Sequence, residues 1–196
     1  MRTLAILTTV AALAGCSTST TERLGLPPLE TVPRVDLARY VGTWYEIASF
    51  PQSFQKGCVA TTATYTLRDD GDVDVLNRCR KDALDGPEKS ARGRARVVDA
   101  ATGAKLEVSF FRPFWGDYWI VDLGAGYDYA VVGHPGRDYL WILSRTPTMP
   151  EATYEGILER LESQRYDTSR LRRTLQRTEG AVPGDGQPQG SPTGVR

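Results

Sequence analysis

Between Thr43 and Arg145 short apolar runs alternate with turn residues, at a spacing too tight for helices. The first run is "TWYEIASF" (43–50), in which every second side chain shares a face. "VATTATYTL" (59–67) and "VDVLNRCR" (73–80) flank "RDDGD", a hairpin with Asp70-Gly71 at its turn. "SARGRARVVD" (90–99) and "KLEVSFF" (105–111) form a second hairpin that turns at Thr102-Gly103. "DYWIVDLG" (117–124) and "YDYAVVGH" (127–134) form a third, and "RDYLWILSR" (137–145) follows. The pattern predicts an all-β domain, an eight-stranded up-and-down antiparallel β-barrel. A barrel of eight strands closes around a calyx that suits one small ligand.

After the last strand the period changes from two to nearly four. In "TPTMPEATYEGILERLESQRYD" (146–167), Tyr154, Ile157, Leu158 and Leu161 recur at helical spacing. Thr148 or Met149 is placed to cap, Pro150 to stand at the first helical position and Glu151 in the first turn. This predicts a C-terminal α-helix packed on the barrel wall. "SRLRRTLQR" (169–177) reads as a solvated terminal segment.

The two ends follow other rules. Arg2, the apolar stretch Leu4–Leu13 and the closing "LAGC" have the layout of a secretory signal, too short to span a bilayer as a mature helix. Leu13-Ala14-Gly15-Cys16 resembles a bacterial lipobox. That resemblance implies cleavage before Cys16, diacylglycerol on its thiol and an acylated amino terminus. Several acyl chains anchor stably, where one alone binds only marginally. Residues 1–15 are thus expected to be the lipoprotein signal peptide. Residues 16–35, rich in Ser, Thr and Pro, are expected to be a lipidated tether, and 178–196, almost all small and polar, a disordered tail. Ser17, in place of an aspartate after the cysteine, points to the outer membrane under the usual bacterial sorting rule.

Charge adds an exclusion. Lys+Arg and Asp+Glu number 24 each, so no global field draws the chain to nucleic acid. Cysteine adds a bond. With Cys16 acylated, Cys58 and Cys79 remain in an exported, disulfide-permissive chain, either bridged or as two buried thiols; we expect the bridge. It would stabilise by about 3 kcal/mol. The turn at Asp70-Gly71 brings Cys79 opposite Thr61 rather than Cys58, so a bulge or bend must bring the sulfurs together.

Taken in order, Gly42-Thr43-Trp44 extended to "GTWYEIA", the hairpin "TATYTLRDDG", "VSFFRPFWGDYWI" and "YDYAVVGHPGRDYLWILSRTPTM" resemble the lipocalin family, specifically bacterial outer-membrane lipoproteins related to apolipoprotein D and plant temperature-induced lipocalins. The resemblance spans nearly all of 36–177; the cysteine pair is not among the family's defining motifs. It implies that Trp44 crosses the closed barrel end, with the Arg145 guanidinium on its indole and Gly42 turning beneath them. A desolvated pair of this kind is worth about 2 kcal/mol.

For the cup itself, Tyr139, Trp141 and Leu143 share the parity of Arg145 and are expected to point inward, Trp141 against an acyl chain. Tyr118, Ile120, Tyr127, Tyr129 and Phe110 are further candidates. Glu46 shares the face of Trp44, either as a buried acid near the pocket floor or carried outward by a bend. Ala91, Gly93 and Ala95 inward would leave room for ligand, with Arg92, Arg94 and Arg96 as a solvated face; the alternative aims one arginine at a ligand phosphate or carboxylate. The aromatics of "FFRPFWGDYW" (110–119) are read as a cap over the barrel end, the alternative being an apolar lip facing membrane lipid.

Catalytic patterns are nearly absent. His134, the only histidine, lies in the turn-like "GHPGRD", which excludes triads and histidine-dependent metal clusters, and no phosphate loop is present. The expectation is a non-enzymatic carrier without cofactor or metal, a monomer or weak homodimer. It is anchored through Cys16 on the periplasmic face of the bacterial outer membrane and holds a fatty acid or lysophospholipid. The competing readings are a lipid-modifying isomerase or de-epoxidase on the same barrel, and a non-binding envelope interaction protein.

Overall fold

The computed structural model describes residues 25–177. The expected signal sequence (1–15), the expected acylation site Cys16 and the expected tail from 178 lie outside the described residues. A short helix α1 (Leu37–Tyr40) precedes eight strands: β1 (Gly42–Ser49), β2 (Cys58–Leu67), β3 (Val73–Lys81), β4 (Glu88–Val97), β5 (Lys105–Phe111), β6 (Phe114–Leu123), β7 (Tyr129–Gly133) and β8 (Leu140–Ser144). Each pairs antiparallel with the next, β8 returns to β1, and β1 pairs with β2, so the barrel closes as expected. Four connections (β1–β2, β3–β4, β5–β6, β7–β8) surround one mouth. Helix α1 and the remaining turns close the other end.

Strand alternation divides the apolar residues into two cores. Trp44, Tyr65, Val75, Leu106, Ile120, Val132 and Leu143 fill the inside. Ile47, Phe50, Val131 and Ile142 face outward against helix α2 (Glu151–Ser163), which contributes Tyr154, Ile157 and Leu161. The helix therefore packs on the wall through the predicted face. It starts one residue later than expected. Pro150 occupies the cap position rather than the first turn, and its carbonyl accepts from Thr153 and Tyr154.

Two bulges shape the wall. In β2 the register on β3 jumps between Val59 and Thr62, with Ala60 at φ 48°. The extra residue shifts Cys58 along its partner strand, and Cys58 is bonded to Cys79 with their Cα atoms 5.4 Å apart. In β1 the register on β8 jumps between Glu46 and Ala48. Only Gly42–Tyr45 stays on β2, so toward the mouth the two strands splay.

The C-terminal segment fills this gap, and the solvated reading of 169–177 is corrected accordingly. A two-residue strand β9 (Arg172–Arg173) pairs with Ser49 and Ala48 of β1. The Thr174 N–H donates to Ile47 O, the Ala60 N–H donates to Leu175 O, and the Gln176 amide donates to both Glu46 O and Thr61 O. The reason is the backbone: splayed strands leave N–H and C=O groups without partners, and buried groups of this kind are paired. The arginine side chains, with Ser169 and Leu175, stay exposed, and Arg173 lies 3.5 Å over the Tyr154 ring.

The tether is corrected as well. Of 16–35, residues 29–35 belong to the packed domain: Leu29 and Val35 are buried, the Val32 N–H donates to Ile120 O and the Val35 N–H to Thr102 O. Two apolar side chains in a Pro-rich stretch suffice to dock it, because extended backbone has free hydrogen-bonding groups to offer.

At the closed end Trp44 is fully buried and its indole N–H donates to Tyr40 O at 2.8 Å. The Arg145 guanidinium lies 3.7 Å over that ring. It also donates to Arg39 O, Tyr40 O, Val41 O and Thr43 O, at 2.8 to 3.1 Å, and to Tyr127 O. Gly42 has φ +99°, and a side chain there would meet Arg145 at 3.3 Å. Replacing Arg145 by Met removes the cation and leaves several carbonyls without donors. Arg145→Met should cost about 3 kcal/mol in urea unfolding, and Arg145→Lys should recover less than half, because one ammonium cannot span the same carbonyl fan.

Candidate functional site

The barrel interior is built in three levels. The floor is the Trp44 plug with three phenols above it. Tyr40 and Tyr118 share a hydrogen bond of 2.7 Å, and the Tyr118 hydroxyl donates to Tyr65 at 2.9 Å. Burial pushes the ionisation of Tyr40 and Tyr118 up strongly, reinforced in each by the charge of a neighbouring tyrosine. Tyr65 is pushed up to about 12, first by burial and against the Tyr118 hydrogen bond, with the nearby Glu46 charge adding to the rise.

Glu46 forms the middle level. It is 5% exposed, pairs across the ladder with inward-facing Leu143 and shares the face of Trp44. The bend in β1 comes one residue later, at Ile47, so it does not carry the acid outward. Ser49 and Thr174 hydroxyls donate to Oε1, and the Gln55 amide donates to Oε2 at 2.8 Å. Trp141 fixes that amide: an indole N–H can only donate, and it donates to Gln55 Oε1 at 3.0 Å, which turns the Gln55 nitrogen toward Glu46. The acid accepts at both oxygens. Gln55, from the short 3₁₀ turn Ser53–Gln55, and Thr174 were not identified from the sequence. Both sit in connections where no periodicity marks an inward position.

The upper level opens to the mouth. Ala91, Gly93 and Ala95 of β4 pair with Asn77, Val75 and Val73 and share their inner face, while Arg94 and Arg96 ion-pair outside with Asp70, Asp72 and Glu107. Ala91 is exposed despite facing inward, so the cup is accessible above Val75. Phe110 lies on Gly93, whose absent side chain leaves it room: a Cβ would stand 2.8 Å from the ring. Tyr139 stacks on Trp141 with centroids 5.9 Å apart and reaches the rim beside His134.

Of the candidate ligand contacts, Trp141, Leu143, Tyr118, Ile120, Phe110 and Glu46 lie on the inner face and Tyr139 at its rim. Tyr129 is corrected. It pairs with Ser144, the outward neighbour of Leu143, and packs in the outer core between Asp122 and Arg160. Alternation was evident in β7, but its register on β8 was not. Tyr127 belongs to the closed end, where its hydroxyl accepts from the Asp36 N–H and Arg39 lies 4.0 Å over its ring. The cap over the barrel end is corrected too: Phe111 and Phe114 are 76% and 70% exposed and stack on one another at the β5–β6 turn. Among the described residues no three His, Cys, Asp or Glu side chains stand together as metal ligands.

Comparison with known proteins agrees with this architecture. The family profile of a lipocalin-like domain matches residues 35–176. The outer membrane lipoprotein Blc of Escherichia coli K12 is 40% identical over 159 residues, 81% of this chain and 87% of the relative. The temperature-induced lipocalin-1 of Arabidopsis thaliana is 42% identical over 157 residues, 76% of this chain and 83% of the relative. Among solved structures, insecticyanin from the tobacco hornworm Manduca sexta superposes with a TM-score of 0.62 at 23% identity, covering 80% of this chain and 88% of the other.

The buried phenols make stability pH-dependent. A tyrosine whose ionisation is raised in the folded state keeps its proton while the unfolded chain loses one near pH 10. Its contribution is complete below pH 10 and drains as pH climbs toward 12. Unfolding free energy should therefore fall through that window. Tyr65→Phe should flatten the fall and remove one late step from the tyrosinate absorbance titration.

Proposed function

The chain belongs to the lipocalin-like family, and on that premise we propose that it binds a single lipid, a fatty acid or lysophospholipid, in the barrel. It stores or carries that lipid at the bacterial outer membrane, held on the periplasmic face through acylated Cys16. The observation that carries this reading is the division of the interior. A sealed apolar floor lies beneath an inner wall that stays accessible at Ala91, Phe110 and Trp141. An acyl chain entering there gains about 0.8 kcal/mol for each CH₂ removed from water. Its polar head would remain toward the rim, where the Tyr139 hydroxyl offers a hydrogen bond.

The lipobox at Cys16 and the names of bacterial relatives in this family support the anchor. Binding requires no reaction, and the proposal assigns the chain no catalytic step. Native mass spectrometry of the protein purified from its host should show one bound lipid per chain, and added lysophospholipid or fatty acid should raise the melting temperature of delipidated protein. Trp141→Ala should weaken binding about tenfold while leaving the fold intact, since a half-buried ring is lost without opening the floor. A chain that carries no lipid and that neither ligand protects from heat overturns the proposal.

A further inference from the structure

The mouth of the barrel carries an excess of apolar surface that packing does not explain. Phe54 in the β1–β2 connection is 62% exposed, Phe111 and Phe114 at the β5–β6 turn are 76% and 70% exposed, Phe110 beside them 44%, and Tyr139 just before β8 36%. All five lie on one end. At the closed end the large exposed apolar residues among the described residues are two aliphatic ones, Leu67 and Val98. Apolar groups gathered at one rim of a soluble domain mark an interaction surface.

Charge at the same rim has a sign. Lys56, Lys89, Arg92 and Arg112 are exposed there and make no ion pair among the described residues. Arg112 stands between Phe111 and Phe114 at the turn itself, and Arg92 and Arg112 line one shallow pocket with Phe110 and Phe111. The rim acids Glu88 and Asp82 are engaged by Arg78, Arg80 and Lys81; Asp85 and Asp138 remain as countercharges, with Asp117 beside His134 and Asp167 after α2 at the same end. Aromatic rings beside unpaired cations match an acyl layer bordered by anionic headgroups.

The path of the chain supplies an independent indication. The described residues begin at the mouth, not at the closed end. The Arg137 guanidinium, in the β7–β8 connection, donates to Pro27 O at 2.9 Å, and from there the chain descends the wall past buried Leu29 to Val35 under the floor. Cys16 is nine residues before Gly25, a span that reaches about 30 Å when fully extended. Pro27 thus stands on the side where the aromatic rim lies, the side on which the proposed anchor would hold the domain.

We infer that this rim seats the barrel on the phospholipid bilayer, with Phe54, Phe111 and Phe114 in the headgroup–acyl boundary, Arg112 among the phosphates and the cup opening toward the lipid. The inference rests on the lipid-anchored reading for its orientation and goes beyond it by naming the surface. It gives the ligand a route between membrane and cup that never crosses bulk water.

The test uses the full chain, processed and acylated in its host and reconstituted into vesicles of phosphatidylethanolamine and phosphatidylglycerol. Phe111→Cys and, separately, Val98→Cys each carry an environment-sensitive fluorophore. Lipids brominated in the upper acyl chain should quench the probe at 111 at least about twofold and leave the probe at 98 unchanged. Equal, weak quenching at both positions overturns the inference while the anchor stands. In a second arm, Cys16→Ser protein is sedimented with the same vesicles, and the Phe111→Ser/Phe114→Ser variant should bind about tenfold less. Both phenylalanines are largely solvated, so the pair can be replaced without loss of core. If host-purified protein bears no acyl group and the second arm still depends on the phenylalanines, the anchor reading fails and the rim stands. Concentration-dependent doubling of mass through these phenylalanines, with no vesicle binding, assigns the rim to a second copy and overturns the inference.

Discussion

One guanidinium holds the closed end of this barrel together. Arg145, the residue directly after the last barrel strand, covers the Trp44 indole and donates to carbonyls of Arg39, Tyr40, Val41, Thr43 and Tyr127. Those carbonyls belong to α1, the start of β1 and the turn before β7, three pieces of chain that share no ladder at that point. A backbone that crosses beneath a barrel cannot find partners in a sheet, and burying its carbonyls without donors would be costly. The arginine answers that cost and in doing so fixes where β1 starts. From that start follow the inward face of Trp44, the position of Glu46 and the register of β1 on β8. The cup is shaped above a floor that one side chain secures.

Much of this was legible because strands obey a period of two. Alternation identified the strands and the small residues of β4 that leave the cup open and, with Arg145 as the reference that the resemblance supplied, the inward parity of Trp141 and Leu143. The Gly42-Thr43-Trp44 motif together with Arg145, a hundred residues downstream, gave the closed end through resemblance. Failures came where the period breaks or where register between strands decides. Tyr129 alternates as regularly as Trp141, but which of its faces is inward depends on its partner Ser144. Gln55 and Thr174 reach the buried carboxylate from a turn and from a terminal segment, and neither has a pattern that tells inside from outside. The aromatic run around Pro113 showed its composition plainly; its exposure depended on the hairpin projecting past the rim.

Inside the cup, polar groups are few; those of the floor and middle level are engaged, while Asn77 Oδ1 and Thr61 Oγ1 are buried without a partner. The three phenols satisfy one another, and Glu46 accepts from two hydroxyls and an amide whose orientation the Trp141 indole sets. Such linked sets stiffen their surroundings, since each member loses a partner when a neighbour moves. The lower half of the barrel is accordingly rigid and apolar in outline. Freedom is concentrated above it, along the inner face of β4 and at the rim.

The C-terminal segment has a further consequence, for the order of events in the life of the chain. The upper seam between β1 and β2 is sealed by Thr174, Leu175 and Gln176, near the end of the described chain. A nascent chain that has emerged only through β8 has a barrel whose wall is open on one side, with Ile47 O and the Ala60 N–H unpaired and the Glu46 side chain short of one donor. The upper part of that seam waits for residues 172–176 to be synthesised. A chain exported as proposed would benefit from that delay, because a polypeptide that cannot finish its barrel early stays loose enough to be threaded across a membrane before it folds.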